Sequence, residues 1–434
     1  MRLYFKHFFT LFLFLTSSLY AITTVDVTHI QEPQPLRGPW AFTASIVQKS
    51  NDPILTKQSL LLPQFLDEKL AHPHDIVTLA LALKTTPNFP LSINMKQPYS
   101  VWKLYANGKL IGSSGVFHPE NGQHMAHAYY PIIHFTPTKQ NTHLLLYLAN
   151  AQHQHVGFYG VPLIAPKGVL EKHHIQASII EKIVIAILGL FGMYHIGLFL
   201  VWRKDKAPLW FGMVCISLAI RTATTGEKVI LGLFPDLTWE MLTRIEYVSG
   251  YLTLPFFVLY VSSLYPKQTS QRISYVYLPL GFLFAFFAMF FSTQFFTTSL
   301  TYYYIIVVTF IMYTLWILFR SLISKESGSI LAFITFMFFS VTIIHDLLLF
   351  QNIIFLLPID LMPYGFLIYL FAQAAILLLR YANAFKIIEK HTDDLEVLVL
   401  ERTKELTALV SQRELLLREL THRVKNNLQF IISL

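Results

Sequence analysis

Charge is scarce in this chain: Asp, Glu, Lys and Arg make up 13% of its 434 residues, hydrophobic residues 54%, and the mean hydropathy is +0.49. A soluble chain of this length needs far more polar surface, so the composition points to a membrane protein. Cysteine is almost absent. Cys215 is the single one and lies inside a hydrophobic stretch, which excludes a disulfide framework. The net charge of +8 could suggest nucleic acid, but the Lys and Arg residues concentrate in short loops and a C-terminal tail, which argues against that partner. Pro and Gly are missing from Phe385 onward, so that segment has nothing to break a helix. No four ligands show a recognisable metal spacing. No matched pair of hydrophobic segments is interrupted by Gly or Pro, the usual pointer to a transporter site.

What is present is a hydrophobic block from about Ile179 to Tyr381. A hydrocarbon core takes about 20 apolar residues per helix. The block therefore predicts spans near Ile179–Trp202, Leu209–Ile230, Glu240–Tyr265, Tyr275–Phe291, Leu300–Phe319, Ser329–Phe350 and Leu361–Leu379. Arg203, Lys204 and Lys206 follow the first span, Lys267 and Arg272 the third, Arg320 and Lys325 the fifth, and Arg380, Lys386 and Lys390 the seventh. The alternate loops carry Lys228 and Asp236, then no charge, then Asp360. Basic residues of short loops stay in the cytoplasm. The pattern thus predicts that the chain before Ile179 is exported and the chain after Leu379 is cytoplasmic, across a bacterial inner membrane. That is the arrangement of a receptor.

Met1–Ala21 has the form of a secretory signal: Arg2 and Lys6, an apolar core Phe8–Leu15, then Thr16-Ser17-Ser18, with cleavage expected after Ala21. The alternative is an uncleaved anchor, which exports the next segment equally well. Residues 22–172 form the expected exported domain. Short β-type runs appear at Trp40–Val47, Ile76–Lys84, Val101–Ala106, Lys109–Gly112, Ala126–Ile133 and Leu144–Ala149. Asn107-Gly108 tolerates the positive φ angles of a two-residue hairpin loop. Short strands with regular turns over this length predict a β-sandwich.

Leu36-Arg37-Gly38-Pro39-Trp40-Ala41-Phe42, Leu104 to Ile111, Tyr147-Leu148-Ala149-Asn150 and Gly157-Phe158-Tyr159-Gly160 together resemble one module. It is the galactose-binding-like, jelly-roll extracellular domain of seven-transmembrane receptors with diverse intracellular signalling modules. The resemblance implies sensing of a small-molecule or carbohydrate ligand. The chain has Asp75-Ile76-Val77-Thr78-Leu79 where such domains carry a Gly- and Tyr-rich strand.

Twelve of the 17 histidines fall between His29 and His174, with pairs at His72/His74, His153/His155 and His173/His174. Imidazole binds metals and titrates near neutrality, but without a ligand spacing the expectation is solvated side chains, with His153 and His155 on one face of a strand. Inside the spans, ionisable residues are costly and tend to mark function. Arg221, Arg244, Glu246, His345 and Asp346 are expected at similar depth in the outer half of the bilayer, with Arg221 and Glu246 as an ion pair. Such a cluster is either a relay that feels ligand-induced movement or static polar packing between helices.

Residues 385–416 predict a parallel coiled coil, hence a homodimer. Leu395, Val399, Leu406, Leu409, Leu416 and Leu420 keep an alternating three/four spacing, broken by Arg402 and Arg413. The helix continues into residues 417–434. There Leu417, Leu420, Val424, Leu428 and Ile431 form an apolar stripe, and His422 points away from it, sharing its face with Lys425, Asn426 and Gln429. An exposed imidazole is a nucleophile near pH 7, and Arg423 and Lys425 bring positive charge near a phosphoryl group.

His422-Arg423-Val424-Lys425-Asn426-Asn427-Leu428-Gln429 resembles the phosphoacceptor box of sensor histidine kinases of the second dimerisation type. The resemblance implies that His422 takes the γ-phosphate of ATP and passes it to an aspartate of a response regulator, with Arg423, Lys425, Asn426 and Asn427 in support. It also implies ATP and Mg as reactants, bound by a domain beyond the residues given. The chain reaches Leu434 within the first helix of the dimerisation domain, so the expectation is a portion of a longer kinase, inactive alone. The rival expectation is a truncated, non-catalytic receptor that binds ligand and modulates a partner kinase.

Overall fold

Alternation of apolar and polar residues builds the first part of the chain, and near-continuous apolarity builds the second. The structure, a computed structural model, describes residues 24–44, 59–67, 76–96, 100–117, 124–129, 131–150, 153–354 and 359–432. The signal-like Met1–Ala21, His72 and His74 lie outside the described residues.

Eleven strands precede the helices: β1 (Val25–Asp26), β2 (Gln34–Pro35), β3 (Trp40–Thr43), β4 (Ser59–Leu60), β5 (Val77–Lys84), β6 (Leu91–Asn94), β7 (Ser100–Ala106), β8 (Lys109–Ser114), β9 (Ile133–Phe135), β10 (Asn141–Asn150) and β11 (Leu163–Pro166). One sheet runs β4-β3-β5-β10-β7-β8, with β1 added in parallel to β5; the other runs β2-β11-β6-β9. The central β10 sets Leu144 opposite Leu81 on one side and opposite Ala106 on the other. Side chains alternate across a strand. Leu144, Leu146 and Leu148 therefore enter a core with Trp40, Trp102, Leu79, Ile93 and Ile164, contributed by both sheets. Leu145 and Tyr147 point the other way, beside Ala80 and Tyr105.

The Asn107-Gly108 hairpin forms as its sequence predicts. Ala106 pairs with Lys109, and Asn107 and Gly108 take φ angles of 49° and 82°. The Asn107 side chain also accepts the His143 amide at 2.9 Å, fastening the turn to β10. The expected strand at Ala126–Ile133 is displaced: pairing with β6 begins only at Ile133, and the preceding segment supplies a single bridge, Val116 to Met125. His153 and His155 lie in a loop rather than on a strand.

Seven helices follow: α1 (Val169–Val201), α2 (Ala207–Thr224), α3 (Trp239–Leu264), α4 (Gln271–Phe290), α5 (Thr293–Ile323), α6 (Ser329–Phe350) and α7 (Met362–Ile432). All seven are long and apolar enough to cross a membrane. The first starts at Val169, ten residues ahead of the expected span. Gly168 at φ 91° turns the chain out of β11 and the Glu171 carboxylate accepts its amide at 3.0 Å, so a polar first part of the helix precedes the apolar one. The second ends at Thr224 rather than Ile230, where Gly226 at φ 53° and Lys228 at φ 52° turn the chain into a short 3-10 helix, Val229–Gly232.

Small and polar residues hold the bundle together, since lipid offers apolar side chains no reason to associate. A Cβ on Gly212 would lie 2.8 Å from the Gly192 carbonyl, so α1 and α2 meet backbone to backbone. Ser217 of α2 bonds Thr253 of α3 at 3.0 Å. Aromatic rings fill the middle, where Tyr251, Phe257, Tyr303, Phe336 and Tyr369 interlock.

The β region caps one end of the bundle and α7 leaves from the other. Lys228 after α2, Thr297 at the start of α5, and Asn352 and Asp360 between α6 and α7 meet the β region. Arg203, Lys267, Arg320, Arg380 and their basic neighbours gather at the opposite end, where Arg380 donates to the Leu264 carbonyl at 3.2 Å. From Tyr381 on, every residue whose side chain is described is exposed, and α7 continues as one lone helix. The seam positions of the expected coiled coil therefore have no partner helix within this single chain.

Candidate functional site

The junction between the strands and the bundle is built from the loop that follows β10. Asn150 closes it: its amide donates to the His153 carbonyl at 2.9 Å, and its carbonyl oxygen accepts the His153 amide at 2.9 Å. This turn drives the next residues into the mouth of the bundle. His153 is 2% exposed, packed edge-on to Trp239, with Nε2 3.5 Å from the Tyr247 hydroxyl. The Gln154 amide donates to Thr297 Oγ1 at 3.1 Å. His155 pairs with Asp67 at 2.7 Å and stacks on Phe65.

Burial, and behind it the neighbouring His155, holds the His153 imidazole down to about 3. The geometry agrees: Nδ1 accepts the His155 amide at 3.1 Å, which needs a lone pair on that nitrogen. His153 is thus a neutral, buried contact with the bundle and not a solvated side chain.

Six residues after His153, Tyr159 makes the second contact. Its hydroxyl donates to Asp360 Oδ1 at 2.8 Å, and its ring stacks on Phe350 with centroids 4.7 Å apart. Asp360 lies just before α7. Burial pushes its carboxyl up, while the Tyr159 hydroxyl and the charge of Arg221 pull the other way. A third contact joins Lys228 to the Ala128 carbonyl at 2.9 Å, beside the small apolar cluster of Ala128, Trp239 and Leu242. Burial lowers the Lys228 ammonium to about 8 against the opposing pull of Glu246. On the α1 side, Glu227 pairs with His174 and lies 3.8 Å from Lys96, and its amide donates to Glu181 at 3.0 Å. A cavity of about 680 Å³ opens between these groups.

The five ionisable residues expected to meet inside the membrane have different fates. Arg221 and Glu246 are neighbours but form no ion pair: the guanidinium reaches only the Glu246 main-chain carbonyl, at 3.5 Å. Arg244 faces elsewhere, pairing with Glu240 at 2.7 Å and donating to the Ala288 carbonyl at 2.8 Å, where it caps α4. The cause is the helical repeat, since Arg244 lies two residues from Glu246 and so points to another side of α3. His345 and Asp346 bond each other at 2.9 Å, and Asp346 accepts the amides of Leu361 and Met362 at 2.9 and 2.8 Å. The aspartate therefore caps the start of α7. Asp360, absent from the expected cluster, is the group that ties Tyr159 to it. Its signal in the sequence was weak, a single acid in an otherwise uncharged loop.

A cavity of about 160 Å³ extends from this junction into the bundle, roofed by Phe65 and the 153–155 loop and walled by α2, α3, α5 and α6.

The other expected site lies far away on α7. His422 is exposed, and its Nδ1 stands 3.2 Å from the Asn426 amide one turn on. Arg423 pairs with Glu419, and Lys425 and Asn427 are exposed beside them. Among the described residues no group of three or more His, Cys, Asp or Glu could hold a metal ion. These residues do not fit a Mg site.

Residues 177–384 match the family model described as 7TM diverse intracellular signalling, a little under half of the chain. No curated protein matches the chain. The match runs from within α1 to within α7, and with the seven apolar helices it supports a seven-transmembrane receptor with an intracellular signalling role.

Proposed function

We propose that this receptor is the sensory, membrane and phosphoacceptor portion of a two-component sensor histidine kinase. The β region lies outside a bacterial inner membrane and α7 enters the cytoplasm, a placement that the basic residues at the α7 end of the bundle support. A signal arriving at the β region shifts the Tyr159–Asp360 and His153–Tyr247 contacts. Asp360 and the Asp346 cap both act on the first turn of α7, so a small displacement there moves the helix as a body.

The observation that carries the reading is the unbroken run of α7 from the junction to the acceptor box, Met362–Ile432. At 1.5 Å per residue the helix spans ~105 Å, and it presents His422 bare at its far end. Leu395, Val399, Leu406, Leu409, Leu416 and Leu420 are all more than half exposed on it. A second copy of α7 supplies the partner these leucines need, making the active form a parallel homodimer. His422 then accepts the γ-phosphoryl group of ATP, held with Mg by a separate nucleotide-binding domain, and passes it to a response regulator aspartate.

The test is labelling of the product of the complete gene, in membranes, with γ-labelled ATP. An acid-labile, alkali-stable label that disappears in His422→Gln is expected. A label that survives the substitution, or none in the unaltered protein, refutes the assignment.

A further inference from the structure

The cavity inside the bundle combines a small, largely aromatic volume with two charged side chains, Arg221 and Glu246, that do not pair with each other. The volume of about 160 Å³ is close to that of a void known to take one benzene ring, about 150 Å³. Its walls are aromatic through most of their depth, with Tyr251, Phe257, Tyr303, Phe310, Phe336 and Phe339. Toward the junction the lining changes to Arg221 and Glu246.

Arg221 has five N–H donors and uses one, in a long bond to a carbonyl. Gly250 makes room for the guanidinium: a Cβ there would lie 2.7 Å from Nη1. Among the described residues, no donor lies within hydrogen-bond or ion-pair distance of the Glu246 carboxylate. An ion pair between the two would discharge both, yet their side chains stay apart. Lys228 attracts Glu246 and Asp360 attracts Arg221 only at longer range. Both half-buried side chains face the cavity, so an occupant that displaces water from it must give each charge a contact partner or leave it desolvated. An apolar occupant leaves both in place, an anion leaves Glu246, and a cation leaves Arg221.

We infer that this cavity binds a small aromatic zwitterion, with its ring among the bundle aromatics, its carboxylate on Arg221 and its ammonium on Glu246. Such an occupant sits directly beneath the 153–155 loop, so it reports to the same junction as the β region. The site stands on geometry alone and does not depend on the kinase assignment.

The experiment uses the full chain in lipid nanodiscs and four probes: L-phenylalanine, phenylacetate, phenethylamine and toluene. Thermal stabilisation and calorimetric affinity are read for each. L-phenylalanine is expected to bind at least tenfold more tightly than the other three. In Arg221→Gln its advantage over phenethylamine disappears, and in Glu246→Gln its advantage over phenylacetate disappears. If either variant fails to fold, Gly250→Ala, which displaces only the guanidinium, gives the same loss as Arg221→Gln. The inference is overturned if L-phenylalanine produces no shift. It is equally overturned if toluene binds as well, which is the behaviour of a cavity filled by lipid chains, or if all the variants bind like the unaltered protein. None of these readings involves phosphorylation, so failure here leaves the His422 test untouched.

Discussion

Acid should release the strands from the bundle, through His153. The docked ring titrates at about 3 against an ordinary 6.5. A ring that titrates lower when docked favours docking most above about pH 6.5 and loses that contribution as pH falls toward 3. At pH 5 the released imidazole gains about 1.5 pH units of protonation that the docked one cannot, or about 2 kcal/mol. Docking therefore weakens about 30-fold between pH 7 and pH 5. Hydrogen exchange on the full chain in nanodiscs measures this, after correction for the intrinsic pH dependence of exchange. The amide of Gln154 reports directly, because it donates to Thr297 across the junction. His155, Asp67 and Tyr247 face the same loop. His153→Gln removes the titrating ring, and His155→Gln serves as the control for its neighbour. Protection that stays constant from pH 7 to pH 5, or a loss that persists in His153→Gln, would refute the argument.

Other substitutions test separate links. Tyr159→Phe keeps the stack on Phe350 and removes only the hydroxyl on Asp360, at 2.8 Å. It should cost about 1.5–3 kcal/mol of docking, seen as faster exchange at residues 359–362. Asp346→Ala strips the acceptor from the Leu361 and Met362 amides. A loss of about 1–2 kcal/mol should fray the first turn of α7 while leaving α6 protected. Gly212→Leu forces apart α1 and α2, whose backbones meet at Gly192. A lowered melting temperature in detergent is expected, equivalent to about 1–3 kcal/mol, and an unchanged one would show that the helices do not need that approach.

The seven spans and the hairpin at Asn107-Gly108 were legible in the sequence, as was the outward face of His422. Each follows from short-range rules: apolar length against bilayer thickness, positive φ at two adjacent residues, and the 100° repeat of a helix. Span ends were less legible, because α1 begins with a polar stretch, Glu171 to His174, that hydropathy does not mark as helix, and α2 stops where Gly226 and Lys228 turn the chain. Arg221, Arg244, Glu246, His345 and Asp346 were visible as costly residues in apolar runs, but their partners were not. Arg244 belongs to the end of α4 and Asp346 to the start of α7.

The amino-acid order alone determined how many times the chain can cross a membrane, that a hairpin turns at Asn107-Gly108, and that an exposed histidine stands in an acceptor-like box. Only the tertiary structure decided that Tyr159 meets Asp360 across 201 positions, that His153 is buried against Tyr247, and that Arg221 and Glu246 face a shared cavity without pairing. The reason is one of range. Local patterns reflect forces between residues a few positions apart. Which loop lies over which helix end is settled by packing the whole sandwich onto the whole bundle, and no single segment records that.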